Sequence, residues 1–116
     1  MTENRRIKIA AIAFVTEFYE SEGWSVALVE RDKVGYDLIC KRGEEKHNVE
    51  IKGTSGIQPQ FIITDNELKQ AKDDALFVLC VVFSALSNPT FERWTGVKLL
   101  QDFNFSPISY KAKLKK

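Results

Sequence analysis

The sequence predicts an α/β domain in which a β-sheet packs against helices. Three observations carry this prediction: residues 5–22 have helical periodicity, residues 36–54 alternate like strands around one tight turn, and residues 75–86 form a continuous apolar run. The expected order of elements is α–β–β–β–α–β, followed by C-terminal additions. A chain of 116 residues suffices for one hydrophobic core, so we expect residues 1–116 to form a single domain.

The composition is that of an ordinary globular protein and argues against several other classes. Hydrophobic residues make up 44% of the chain and charged residues 28%, which argues against disorder. The formal charge of +1 provides no general attraction to nucleic acid. Cys40 and Cys80 are isolated, which argues against a zinc site or a disulfide framework. The sequence contains neither a membrane-length apolar run nor a secretory signal pattern, so we expect no membrane contact and a cytoplasmic location.

The first two elements are predicted to be a helix over residues 5–22 and a strand over residues 24–30. Gly23 is a suitable helix stop between them. The expected apolar stripe of the helix consists of Ile7, Ala11, Phe14 and Phe18, widened by Ala10 and Val15. The strand is expected to bury Trp24, Val26 and Leu28 on one face.

A β-hairpin that turns at Gly43-Glu44 is the centre of the predicted sheet. If this pair is a two-residue turn with glycine first, Asp37 lies directly opposite Glu50. Side chains alternate between the faces of a strand, so Asp37, Glu50 and Lys52 share one face. The apolar residues of the hairpin share the other face and are expected to enter the core.

The polar face of this hairpin has the residue types of a metal-dependent hydrolase. Opposed residues have Cβ atoms about 4.5–5.5 Å apart, so Asp37 and Glu50 can hold one cation between them. Mg²⁺ is usually bound by one or two protein carboxylates, with water and phosphate oxygens completing its shell. Lys52 on the same face would point at the bound water or phosphate, where an ammonium orients the water and neutralises charge.

The loop after the hairpin and the next helix supply the expected nucleic-acid contacts. Residues 53–56, GTSG, can bring backbone N–H groups close to a phosphate, since glycine permits close approach. The alternative is an ordinary turn and an ordinary polar surface. The candidate contacts are Thr54, Ser55, Gln58, Gln60, Lys69 and Gln70.

The second half of the chain completes the predicted core. Thr64 and Glu67 fit a capping box that begins a helix, and capping alone accounts for Glu67, so we assign it a structural role. Residues 75–86 are rich in β-branched and aromatic residues without strict alternation, as in a central strand buried on both faces. The remaining predicted elements are a strand over residues 90–95, a short helix over 97–103 and an edge strand over 108–114.

Several short motifs, in this order, resemble known families. Asp37 followed after twelve residues by Glu50-Ile51-Lys52 is similar to the PD-(D/E)XK nucleases, whose metal site is an Asp and a Glu-x-Lys on adjacent strands. The segments GYDLIC, VEIKGTSG, FIITDNE and PISYKAKL more narrowly resemble the NO VEIN C-terminal domain family. This resemblance implies a restriction-endonuclease-like αβββαβ core, with a mixed sheet flanked by helices.

The resemblance also implies roles for individual residues. The backbone carbonyl of Ile51 would join Asp37 and Glu50 as a ligand of Mg²⁺ or Mn²⁺. Many members of the superfamily add an acidic residue from the first helix, and Glu17 is the best-placed candidate in this chain. In the NO VEIN-like relatives that acid lies nearer the helix start, where this chain has Lys8.

Three functional hypotheses follow. The first is a divalent-metal-dependent endonuclease that hydrolyses phosphodiester bonds in nucleic acid, with DNA as the expected substrate and a homodimer as a way to cut both strands. The second is a catalytically degenerate nuclease-fold module that binds nucleic acid or a protein partner, favoured by Lys8 and by the near-zero net charge. In the third, the charged face is an ordinary solvated surface of a small interaction protein.

Overall fold

A computed structural model describes residues 1–30, 35–108 and 112–115. Its helices and strands confirm the predicted α/β class and the αβββαβ order of the first six elements. The helices are α1 (Glu3–Ser21), α2 (Asp65–Asp73) and α3 (Gly96–Asp102). The strands are β1 (Ser25–Leu28), β2 (Leu38–Arg42), β3 (Glu45–Gly53), β4 (Phe77–Phe83) and β5 (Thr90–Thr95).

The strands form one mixed sheet in the order β1-β2-β3-β4-β5. β3 and β4 are parallel and the other neighbouring pairs are antiparallel, because the chain crosses over through α2 between β3 and β4. The β2–β3 hairpin has the predicted register, with Leu38 paired to Val49. Its turn has the predicted glycine-first form, since Gly43 has a φ of +59°.

The core lies on both faces of the sheet. On one face α1 packs against β3 and β4, and on the other α2 and α3 pack against β4. Every residue of β4 is buried, which confirms a central strand covered on both faces. The buried residues of α1 are Ile7, Ala11, Val15 and Tyr19.

The apolar stripe of α1 differs from the predicted one at its second half. Phe14 and Phe18 are only partly buried, and they lie beside the core against Phe91 of β5, with ring centroids 5.7 and 4.8 Å away. Tyr19 takes the central position because its ring packs on Trp24 and its hydroxyl lies 2.8 Å from Nδ1 of His47. A buried tyrosine with a polar partner is not visible from hydrophobic periodicity.

Gly53 at the end of β3 sets how closely α1 approaches the sheet. A Cβ atom at this position would lie 2.8 Å from Cγ2 of Ile7 and 3.0 Å from Cβ of Ala11. Real Cβ contacts are longer, so only glycine allows this spacing. The contact fixes the first turns of α1, including Lys8, over the end of β3.

Two predicted strands differ in extent. β1 is shorter than predicted, and Leu28 is 61% exposed because β1 is an edge strand of the sheet. β4 ends before residue 84, where Ser84 has a φ of 49° that is incompatible with an extended strand. Of the predicted edge strand over 108–114, residues 109–111 lie outside the described residues, and residues 108 and 112–114 have no regular secondary structure. No helix in the described ranges is long and apolar enough to cross a membrane.

Candidate metal centre

Asp37 and Glu50 lie at the point where the pairing of β2 with β3 ends. Both are buried, with 4% of each residue exposed. The sequence predicts direct opposition of these two residues, but the backbone departs from the register here, because the Asp37 amide donates to the Val49 carbonyl at 2.9 Å. The Asp37 carboxylate instead accepts the backbone N–H of Ile51 at 2.8 Å. The Ile51 amide therefore donates to a side-chain oxygen of Asp37 rather than to a backbone carbonyl of β2.

Lys8 reaches this point from α1, which packs on the opposite face of β3 from Glu50. Its Nζ lies 2.8 Å from Oδ2 of Asp37 and 2.6 Å from the carbonyl oxygen of Ile51. The same nitrogen is 3.7 Å from Oε1 of Glu50. The oxygens that sequence analysis proposed as metal ligands thus converge on one ammonium group.

Lys52 projects from β3 next to Glu50 and is held by α2. Its Nζ lies 2.8 Å from Oε1 of Glu67 and 3.7 Å from Oε1 of Glu50. Glu67 also completes the predicted capping box, since its amide donates to Oγ1 of Thr64 and its Oε1 accepts the Thr64 amide. We call Lys8, Asp37, Glu50, Lys52 and Glu67 the cation cluster.

The role of Glu67 as the partner of Lys52 was missed by sequence analysis. Sequence analysis assigns Glu67 to helix capping alone. The structure confirms the cap, but the same carboxylate oxygen of Glu67 accepts hydrogen bonds from both the Thr64 amide and Nζ of Lys52. Burial raises the pKa of Glu67, and the hydrogen bonds from Lys52 and the Thr64 amide outweigh this effect and hold the pKa below its usual value. The signal that could have found it is the segment FIITDNE, which contains Glu67 and is one of the motifs that carry the family resemblance.

Glu50 has the most perturbed carboxyl group of the cation cluster. Burial, followed by the neighbouring Asp37 carboxylate, raises its pKa to about 9, although Lys8 and Lys52 oppose the shift. Glu50 therefore carries a proton at neutral pH when no further cation is present. The cluster then contains the carboxylates of Asp37 and Glu67 and the ammonium groups of Lys8 and Lys52, so its charges balance.

A second polar group lies near the other end of β3, and we call Tyr36, Asn48, Gln70 and Asp74 the Asp74 cluster. Asp74 accepts hydrogen bonds from the Tyr36 hydroxyl, from Nδ2 of Asn48 at 2.8 Å and from the Leu76 amide at 2.8 Å. Burial raises the pKa of Asp74, and these donors lower it by more, so the net shift is downward. The Tyr36 hydroxyl also lies 3.0 Å from Oε1 of Gln70, which gives this predicted nucleic-acid contact a structural partner.

An open cavity of about 360 Å³ gives access to the cation cluster, and all five members of the cluster line it. Its other lining residues are Glu30, Gly35, Tyr36, Thr64 and Asn66. None of the predicted nucleic-acid contacts is among these described lining residues. Ser55, Gln58, Gln60 and Lys69 are exposed, and Thr54 and Gln70 are half-buried.

Glu17, the candidate helix acid, is not brought to the site. It lies nine residues beyond Lys8 on α1, which corresponds to about 13 Å along the helix axis. Its side chain is exposed, whereas the residues of α1 that face the sheet are spaced four apart. The part of α1 that overlies the cation cluster contributes Lys8 instead.

The donor atoms at this position fit a divalent ion in type. Asp37, Glu50 and the Ile51 carbonyl are hard oxygen donors, which Mg²⁺ and Mn²⁺ prefer. Their convergence on the Lys8 ammonium indicates that the site is built around a positive charge. Within residues 1–30, 35–108 and 112–115, no group of three or more His, Cys, Asp or Glu side chains is arranged to hold a metal. Any ion here would therefore depend on the Ile51 carbonyl, on water or on substrate oxygens.

The family described as "Protein NO VEIN, C-terminal" matches residues 7–94, which run from α1 into β5 and include the whole cation cluster. No curated protein and no solved structure matches the chain.

Proposed function

Because the chain belongs to the NO VEIN C-terminal family, we propose that it is a PD-(D/E)XK-type nuclease that hydrolyses phosphodiester bonds in nucleic acid with Mg²⁺ or Mn²⁺. One observation carries this proposal: carboxylate and carbonyl oxygens from two segments converge on the Lys8 ammonium, next to the half-buried Lys52.

Asp37, Glu50 and the Ile51 carbonyl would hold the ion. When bound, a divalent ion supplies a more acidic water and neutralises charge on a phosphate. The Asp37 carboxylate is already oriented for this task by the Ile51 amide. Ionisation of Glu50, which this structure disfavours, would accompany binding, because a nearby positive charge favours the carboxylate.

Lys52 would act on the attacking water or on the phosphate oxygens. Only 16% of its side chain is exposed, and Glu67 and Glu50 hold its ammonium at the cavity wall. A fixed donor of this kind needs little reorganisation as charge develops in the transition state. Glu67 is a positioning residue in this scheme, since it contacts Lys52 rather than the reacting atoms.

DNA is the proposed substrate, approached from the open side of the cavity. Thr54, Ser55, Gln58, Gln60 and Lys69 would contact its backbone from outside the cavity. These residues carry a single positive charge, so we expect contacts near the scissile phosphate to dominate affinity.

The test is cleavage of single-stranded, duplex and branched DNA and RNA in Mg²⁺ or Mn²⁺. We expect Lys52→Ala to reduce the cleavage rate by roughly 10²–10³-fold, as removal of one transition-state donor does elsewhere. Lys41→Ala is the matched control, because Lys41 is an exposed lysine on β2 away from the cation cluster, and it should cleave at the wild-type rate. Absence of cleavage by the wild type on every substrate would contradict the proposal.

A second candidate function is a nuclease-fold module that binds nucleic acid without cutting it. The specific observation that favours it is the Lys8 ammonium, which already neutralises the position where a metal would lie. Such a module would bind DNA or RNA from the same set of substrates without cleaving it, and its affinity would fall steeply as the salt concentration rises. It would bind equally well after Lys52→Ala only if the cavity were not the binding surface.

A further inference from the structure

We propose that the Lys8 ammonium is the resident cation of this site, so that a divalent ion binds only by displacing it. The inference rests on the proposed function only in taking a divalent ion as the competing occupant. It makes Lys8 a regulatory residue, which keeps the site closed to metal until the lysine moves away.

The Lys8 ammonium lies where a divalent ion bound to the same oxygens would lie. The Lys8 nitrogen lies within hydrogen-bond distance of Oδ2 of Asp37 and of the Ile51 carbonyl, and it is 3.7 Å from Glu50. A divalent ion that used the same oxygens would have to occupy the same space. The two occupants therefore exclude each other.

Specific contacts hold the Lys8 ammonium at this position. Lys8 bonds to residues 29 and 43 positions away in the sequence, and only a quarter of its side chain is exposed. Its helix is fixed against β3 by the close contact at Gly53. Without the ammonium, the buried Asp37 carboxylate would lose its ion pair, and an uncompensated buried charge is costly.

The Lys8 ammonium also has room to leave this position. Lys8 has a flexible four-carbon stem and lines the open cavity of about 360 Å³, so displacement needs a side-chain rotation within existing space. Glu30 lines the same cavity and offers a carboxylate to a displaced ammonium. A divalent ion carries twice the charge of the ammonium, and substrate phosphate oxygens would add further ligands to it.

The expected size of the effect follows from competition. If Lys8 occupies the site in about 90–99% of molecules, the apparent metal affinity of the wild type is reduced by about 10–100-fold. Removing the ammonium should recover that factor. Removing another cation of the same helix should not.

The decisive experiment is calorimetric titration of MnCl₂ into the wild type, Lys8→Met and Arg6→Met. Met keeps an unbranched apolar stem without the charge. Arg6 is the matched control, because it is an exposed cation on the same helix and is not among the residues that contact the three oxygens or line the cavity. We expect Lys8→Met to bind Mn²⁺ at least about 10-fold more tightly than the wild type. Arg6→Met should match the wild type, and Asp37→Asn added to Lys8→Met should abolish the gain.

Equal Mn²⁺ affinity of the wild type and Lys8→Met, or binding by neither, would overturn the inference. If Lys8→Met does not fold, NMR of the lysine ammonium groups in the wild type provides the test. We expect a slowly exchanging Lys8 signal that disappears as Mg²⁺ saturates the site, whereas a Lys8 signal unchanged at saturation would overturn the inference.

These outcomes are separable from the proposed function. Tighter Mn²⁺ binding by Lys8→Met without cleavage of any nucleic acid would support the resident cation and contradict the nuclease. Cleavage by a wild type whose metal affinity equals that of Lys8→Met would support the nuclease and overturn the resident cation.

Discussion

The cation cluster and the Asp74 cluster are both polar groups between β3 and α2, but they shift the pKa of a carboxyl group in opposite directions. Asp74 is surrounded by a hydroxyl, a side-chain amide and a backbone amide, and its pKa is lowered. Glu50 faces another carboxylate in a buried position, and its pKa is raised to about 9. The Asp74 cluster satisfies its charge with neutral donors, whereas the cation cluster depends on positive charge.

This difference separates a structural carboxylate from one arranged for chemistry. Neutral donors fix the position of Asp74 and leave it nothing further to bind. Carboxyl groups placed close together cost stability unless a cation joins them, and proteins retain such costs mainly at functional sites. Among the described residues, Asp37 and Glu50 have this arrangement, with Lys8 as the cation present.

The largest stability effect is expected in the Asp74 cluster. Asp74→Ala removes the acceptor of three hydrogen bonds and leaves the Asn48 amide unpaired in a buried position, so it should lower the free energy of unfolding by about 2–3 kcal/mol. Urea denaturation measures the loss. Asp73→Ala, at the exposed neighbouring residue, is the control and should change stability by less than about 0.5 kcal/mol. Similar values for the two variants would show that the Asp74 cluster is not structural.

The next effect has the opposite sign and lies in the cation cluster. The folded-state pKa of Glu50 is raised from 4.5 to about 9, so its contribution to stability is fully present below pH 4.5 and is lost as the pH rises towards 9. Glu50→Gln keeps a neutral group at every pH. We expect it to match the wild type near pH 4.5 and to become more stable than the wild type in metal-free buffer as the pH rises to 8.

Thermal unfolding between pH 4.5 and 9 measures this difference. Glu45→Gln is the matched control, because Glu45 is an exposed residue on the same strand and its variant should follow the wild-type profile. Parallel profiles for Glu50→Gln and the wild type would contradict a protonated Glu50 in the folded protein.

The smallest effect concerns Glu67, which belongs both to the cation cluster and to the start of α2. Glu67→Gln preserves the capping box, since glutamine serves at the same helix position, but it removes the charge that pairs with Lys52. The pair is partly exposed, so we expect a loss of about 0.5–1 kcal/mol by chemical denaturation. Thr64→Ala removes the cap and keeps the charge, with an expected cost of about 1 kcal/mol. If the double variant loses the sum of the two single losses in free energy of unfolding, the ion pair of Glu67 with Lys52 and its capping of α2 are independent.

Local patterns predicted much of this fold. The hairpin register followed from Gly43-Glu44 and from strict alternation, and the buried β4 followed from its unbroken apolar run. The departure at Asp37 could not be predicted, because alternation assumes that the strand continues. At this departure the Asp37 side chain accepts a hydrogen bond from the Ile51 amide, fourteen residues away.

The position of Lys8 was also beyond sequence patterns. Lys8 was recognised as occupying the place of an acid in the resembled family, but its contacts depend on how α1 lies across β3. That arrangement is set by packing at Gly53 and by a long side chain that crosses from one layer to the other. Periodicity identifies which face of a helix is apolar, not which of its polar residues will reach around the sheet.

The resident role of the Lys8 ammonium is tested most directly by anomalous diffraction from crystals of the wild type and Lys8→Met soaked in the same concentration of MnCl₂. We expect a manganese peak bounded by Asp37, Glu50 and the Ile51 carbonyl in Lys8→Met, and the Lys8 ammonium at that position in the wild type. A peak of equal occupancy in the wild type with Lys8 still bound to Asp37, or no peak at these oxygens in Lys8→Met, would contradict it.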